Sequence, residues 1–155
     1  LAMLLSYWGW EGDQHVVEQV IKPALAEGKV VLCDRYADST LAYQGYGHGL
    51  DLPALRSMLQ FATDGLKPDL TILLDLPVEV GLSRKKKEDE WNRLDAYEVK
   101  FHERVREGYH ILAGEEPARW KTIDASQPRE VVQENLRAVV LLSLQNQSLI
   151  ADSSN

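Results

Sequence analysis

Two short stretches constrain this chain more than anything else in it. Val30-Val31-Leu32-Cys33 is apolar at every position and stops at Asp34, while Leu70-Thr71-Ile72-Leu73-Leu74 is nearly so and stops at Asp75. A strand with one wet face alternates polar and apolar residues, so an unbroken apolar run belongs to a strand covered on both faces, as in a parallel sheet. Trp120-Lys121-Thr122-Ile123, leading to Asp124, reads as a third strand. Between these runs the periodicity becomes helical. Val16, Val17, Val20, Ile21 and Leu25 fall near helical spacing, and Gly28 stops them. Leu52, Leu55, Leu59 and Ala62 mark a second helix, with Asp51 as its N-cap and Pro53 near its start. Residues 77–83 begin another helix. Tyr97, Phe101, Val105, Gly108, Tyr109 and Leu112 form the cleanest apolar stripe, and Val131, Val132, Leu136, Val139 and Val140 a closing helix. Residues 36–50 read as loop or short helix, with Gly45, Gly47 and Gly49 as a flexible loop. Strands alternating with helices predict an α/β domain: a parallel sheet with helices on both faces, strands near 29–33, 70–75 and 120–124, and Asp34 and Asp75 at one edge. Residues 1–144 form that domain, and the polar residues 145–155 a fraying tail.

Composition narrows the class. A chain of 155 residues, 45% hydrophobic and 26% charged, suits one domain with a real core. The formal net charge of −7 supplies no basic field for nucleic acid. No apolar run approaches the ~20 residues of a membrane span. Leu1-Ala2-Met3-Leu4-Leu5 is apolar but lacks the basic front and cleavage site of a signal peptide. Cys33 is the only cysteine, which excludes an internal disulfide and points to a cytoplasmic home; it reads as strand core. The chain starts without Met, and a segment upstream is expected.

The residues that carry chemistry begin where the first apolar run ends: Asp34-Arg35-Tyr36, then Ser39, then Ala42-Tyr43-Gln44-Gly45. In open parallel sheets ligands bind outside the carboxyl ends of strands. The planar fork of Arg35 can clamp a phosphate, and Asp34 can hold the water shell of a Mg²⁺ ion or orient that arginine. Ser39, Tyr43 and Gln44 offer hydroxyl and amide groups able to read a base edge or a sugar hydroxyl. On the residues alone, a surface ion pair between Asp34 and Arg35 in a polar loop stands equally open.

The stretch VLCDRYADSTLAYQGYGHGL resembles the strand and loop of thymidylate kinases, whose pattern is Asp-Arg-(Tyr/His), Ser, then Ala-Tyr-Gln-Gly at this spacing. Gln14-His15-Val16 with Ile21-Lys22-Pro23-Ala24-Leu25 is similar to the family's preceding helix. Lys67-Pro68-Asp69-Leu70-Thr71 with Leu74-Asp75-Leu76-Pro77 is similar to the next strand, and Gly81-Leu82-Ser83-Arg84 to its exit into the lid. The run from Phe101 to Tyr109 resembles the long helix after the lid, and Ile123-Asp124-Ala125 the last strand, so residues 14–142 are covered. The resemblance implies a P-loop nucleoside-monophosphate-kinase-like fold that transfers a phosphoryl group from ATP, with Mg²⁺, to dTMP, giving dTDP. Arg35 would bind the acceptor phosphate and Asp34 would lie near the Mg²⁺–ATP junction. Ser39 and Gln44 would face the thymine, with Tyr43 near the deoxyribose. Arg84, Lys85, Lys86 and Lys87 would belong to the lid, and Arg93 stands where the family tends to carry a lid arginine. Such chemistry needs positioning and positive charge, and no Ser-His-Asp triad. It also implies a homodimer and no membrane or nucleic-acid partner.

The chain departs from the pattern in two places. No G-x-x-x-x-G-K-[ST] phosphate cradle occurs in it: Gly28-Lys29 leads into Val30, and Gly45-x-Gly47-x-Gly49 has no lysine after it. The N-terminal βαβ portion is therefore expected to be missing. With it would go a strand lying between those at 29–33 and 70–75, leaving a hole in the sheet or a re-pairing. Gly12 stands where the family usually carries an arginine that contacts the acceptor. Lys85-Lys86-Lys87 is followed by Glu88, Asp89 and Glu90, so charge alone reads equally as a solvated run. His15, His48, His102 and His110 lack metal-ligand spacing, and Trp91 and Trp120 read as packing residues. Three expectations follow: a kinase inactive as this chain alone, a non-catalytic relative that holds a nucleotide or dimerises, or a rearranged structural chain.

Overall fold

The structure, a computed structural model, describes the backbone of residues 3–6, 13–85 and 96–152 and the side chains within 15–84 and 97–146. β1 (Met3–Ser6) is followed by α1, a continuous helix of three segments, Asp13–Val16, Val17–Ile21 and Lys22–Ala26, the middle one widened to i→i+5 bonding. Gly28, at φ 71°, turns the chain into β2 (Val31–Asp34). α2 joins Ala37–Thr40 to a wide segment Leu41–Gly47, and α3 covers Leu52–Ala62. β3 (Thr71–Asp75), α4 (Val78–Lys85), α5 (Ala96–Glu115), β4 (Trp120–Asp124) and α6 (Arg129–Asp152) complete the order.

The expected strands form, and each pairing is parallel, but they form two ladders. β3 pairs with β4 from Thr71↔Trp120 to Asp75↔Asp124. β2 pairs with β1, from Met3↔Val31 to Ser6↔Asp34, a strand the sequence reading left unassigned. Among the described residues no ladder joins β2 to β3. Among those residues β2 therefore has one hydrogen-bonded neighbour where a strand inside a sheet has two. The result shows at Leu32, 44% exposed, and at Cys33, whose thiol is exposed and donates to the Arg35 carbonyl (3.3 Å). The core place expected for Cys33 is thereby corrected: an apolar run is buried only where other layers cover it.

A second correction concerns Gly45 and Gly47. They are buried within α2 and are no flexible loop. A Cβ on Gly47 would stand 2.7 Å from Phe101 and Val105 of α5, and one on Gly45 would run into Leu52. Small residues here let α2 approach its neighbours closely, and only Gly49, at φ 76°, has the turn role. The core sits at that crossing: Leu41 and Ala42 of α2, Leu55 and Leu59 of α3, Val105 and Leu112 of α5, and Trp120 of β4. The stripe on α5 thus packs as predicted, except Tyr97 at its start, which is exposed. Asp51 caps α3 as expected, its carboxylate accepting from the Ala54 amide at 2.8 Å. α6 runs without a break past residue 144 to Asp152, through the segment read as a polar tail.

Candidate functional site

β2 ends at Asp34, and the chain turns at once. Arg35 has φ 64°, in the left-handed region that a side chain with a Cβ seldom enters, at a cost of order 1–3 kcal/mol. The turn carries its guanidinium over the ring of Tyr43, 5.0 Å from the centroid, with Nη2 3.4 Å from the tyrosine oxygen. Among the ion pairs of the described residues none joins Arg35 to Asp34, the pair that the residues alone left open. Eight residues separate Arg35 from Tyr43, and α2 closes that distance by folding back after Tyr36.

Ser39 lies in the first segment of α2, and its Oγ accepts from the Tyr109 hydroxyl of α5 at 2.9 Å. Burial pushes the Tyr109 hydroxyl above the ordinary phenol range, with the Ser39 bond opposing it, so it stays a donor at neutral pH. The Tyr43 ring meets Phe101 and Tyr109 edge-on, with centroids 6.1 and 6.4 Å apart. Arg35, Ser39 and Tyr43 are thus brought into one cluster. Gln44 is exposed on the same helix, and its backbone carbonyl accepts from Leu50. Arg104 of α5 fastens the far end of α2, donating twice to the Gly47 carbonyl at 3.0 and 2.9 Å.

The other carboxylates at strand ends are occupied by protein. Asp75 receives Arg106 on both oxygens (2.7 and 2.8 Å) and His110 at 3.2 Å. The Arg106 hydrogen bonds, opposed by burial and helped by the His110 charge, hold its carboxyl below the usual range. Asp124, its register partner, takes the Ser126 hydroxyl, the Gln127 amide and the Ser126 backbone N–H, which lower it to about 2. Arg84, at the end of α4, donates to the Ala125 carbonyl at 2.9 Å, so it lies at the exit of β4 and outside the Arg35 cluster. Lys86, Lys87 and Arg93 fall outside the described residues, as do Gly12, Trp91 and the side chain of Lys85. Asp34 is different from the other acids: among the described residues no side chain bonds its exposed carboxylate.

The sequence reading missed three participants: Asp38, Tyr109 and Arg119. Tyr109 was visible only as part of an apolar stripe. Asp38 pairs with Arg119 across 81 residues, a separation one sequence does not reveal.

The profile of the thymidylate kinase family matches residues 10–136. The chain belongs to the thymidylate kinase family. Among curated relatives, the thymidylate kinase of Desulfovibrio desulfuricans is 55% identical over 134 residues, covering 82% of this chain and 61% of the relative. That of Roseiflexus castenholzii is 47% identical over 138 residues (81% and 60%), and that of Thermomicrobium roseum 53% over 128 (82% and 60%). The chain thus spans about three fifths of the length of these relatives. Membership carries the P-loop nucleoside-monophosphate-kinase fold, and helix-separated parallel strands are its local signature here. No helix among the described residues is long and apolar enough to cross a membrane.

Proposed function

We propose that the protein is a thymidylate kinase, moving the terminal phosphoryl group of ATP to dTMP to give dTDP, and that these residues carry its acceptor side and the root of its lid. The observation that carries this reading is Arg35: a strained arginine at the carboxyl end of a strand, aimed over Tyr43 beside the Ser39–Tyr109 pair. Backbone strain of that kind persists where the surroundings hold it for a purpose.

In this reading the Arg35 fork holds the acceptor phosphate while Tyr43 packs against the sugar, and Ser39 and Gln44 read the thymine edge. The Ser39 oxygen already accepts from Tyr109, which leaves its own O–H to donate. Arg84, with Lys85, Lys86, Lys87 and Arg93 beyond it, supplies positive charge from the lid over the donor phosphates. Mg²⁺ suits the donors present. It binds through one or two carboxylates plus waters and phosphates, and Asp34 offers one exposed carboxylate. No group of three or more ligating side chains competes for it among the described residues. When bound with ATP, Mg²⁺ neutralises charge on the transferring group. A homodimer and a cytoplasmic setting belong to the same reading, the latter supported by a lone cysteine that forms no disulfide.

Calorimetry with dTMP tests the assignment, on the protein as its source cell makes it and on the 155-residue chain. Arg35→Ala should weaken binding at least tenfold, because each charge-assisted hydrogen bond contributes about 1.5–3 kcal/mol. Unchanged binding would overturn the site. The 155 residues alone should not turn over ATP, since no motif in them supplies an amide cradle and its lysine, and dTDP made by them alone would refute that.

A further inference from the structure

We infer that Arg119 and Asp38 are positioning residues for the acceptor site, an ion pair that sets the helical turn on which Ser39 sits. The inference rests on the reading of Arg35, Ser39 and Tyr43 as the dTMP site. Arg119 donates from Nη1 to Asp38 Oδ2 at 2.7 Å and from Nη2 to Oδ1 at 3.0 Å, a fork on both carboxylate oxygens. Both side chains are largely buried, at 11% and 15% exposure.

The turn needs such a tether. α2 begins after Tyr36, which has extended backbone and gives no side-chain cap, and a Tyr36 carbonyl to Ser39 amide bond (2.8 Å) closes the first turn. Asp38 lies within that turn, three residues after Arg35 and one before Ser39. Its partner is itself held on three sides. Arg119 Nη1 bonds Thr71 Oγ1 at 2.6 Å, Nη2 bonds Glu116 at 3.1 Å, and the guanidinium lies 5.2 Å from the Trp120 ring. The first turn of α2 is therefore referenced to the start of β3, the end of α5 and the start of β4. A buried ion pair adds little net stability over apolar packing, because desolvation offsets attraction. What a fork adds is direction, and direction is what Ser39 and Arg35 require.

The test uses Asp38→Asn and Arg119→Lys in the protein as its source cell makes it, with Arg35→Ala beside them. Each pair variant should raise KM for dTMP about tenfold with KM for ATP changed less than about twofold, as lost positioning at one substrate predicts. The double variant should be no worse than the more severe single one, since both remove the same fork. If Arg35→Ala raises KM for dTMP while the pair variants lower only the melting temperature, the positioning role is refuted and the acceptor site stands. If Arg35→Ala leaves dTMP untouched, the acceptor reading itself fails. Loss of folding in both conservative variants would also overturn the inference, because the pair would then hold the fold and not the site.

Discussion

Replacing Gly108 with alanine sets two effects of similar size against each other. Alanine favours a helix interior over glycine by about 0.8–1.0 kcal/mol, so propensity alone predicts stabilisation. Gly108 is buried in α5, however, and a Cβ there would stand 2.6 Å from Cβ, Cγ and Cδ2 of Tyr46. Ordinary carbon contacts are about 3.5–4.0 Å, so the helices must separate by roughly 1 Å. The first of those atoms is one bond from the α2 backbone, and no rotamer change removes it. Overpacking costs about 1–3 kcal/mol, and a clash with so little freedom belongs in the upper half of that range. Subtracting the propensity gain leaves Gly108→Ala destabilised by about 1–2 kcal/mol. Gly114→Ala is the control: same helix, no positive φ, and nothing within 4 Å of its added Cβ. It should gain up to about 0.5–1 kcal/mol. Urea denaturation with a common m-value reads both. A Gly108→Ala protein as stable as the parent would refute close α2–α5 packing as the reason for that glycine.

Asp75→Asn removes a carboxylate gripped by Arg106 and near His110 and should cost about 1–3 kcal/mol at neutral pH. The folded carboxyl lies below its unfolded value of about 4, so its contribution is complete above that pH and fades as pH falls through the folded value. The gap between parent and variant in thermal melts should therefore narrow as pH falls from about 5 to below about 4; a gap that widens over that range would contradict the assignment. Asp51→Ala removes the α3 cap and should lower stability by about 1 kcal/mol in the same melts, with Asp51→Asn close to the parent.

What was legible in the sequence was what local chemistry writes. Val31 to Asp34, Thr71 to Asp75 and Trp120 to Asp124 were visible as strands because apolar runs and closing aspartates are local features. The cap at Asp51 and the stop at Gly28 are local as well. The sequence led to the wrong reading where a residue's role belongs to a distant neighbour. Gly45 and Gly47 looked like loop because glycine is a weak helix former, yet each leaves room for a side chain met only in three dimensions: Leu52 in one case, Phe101 and Val105 in the other. Cys33 looked like core because its run was apolar, yet burial depends on which strands and layers flank β2.

The candidate site divides along the same line, and the division bears on how it works. Arg35, Ser39, Tyr43 and Gln44 fall within ten consecutive residues and could be found by motif. The groups that aim them come from far away: Tyr109 onto Ser39, Arg104 onto the Gly47 carbonyl, Arg119 onto Asp38. Two of these three come from α5, and Arg119 stands between the end of α5 and the start of β4. One helix and its exit thus fix the whole length of α2, from its first turn to its last carbonyl. In the proposed reading, the segment that would contact the acceptor gains its precision from neighbouring elements, since a side chain misplaced by 1 Å can cost about a hundredfold in rate. α5 therefore does two tasks at once. It shapes the Arg35–Ser39–Tyr43 cluster through Tyr109, and through Arg106 and His110 it grips Asp75 at the end of β3, the strand that precedes α4.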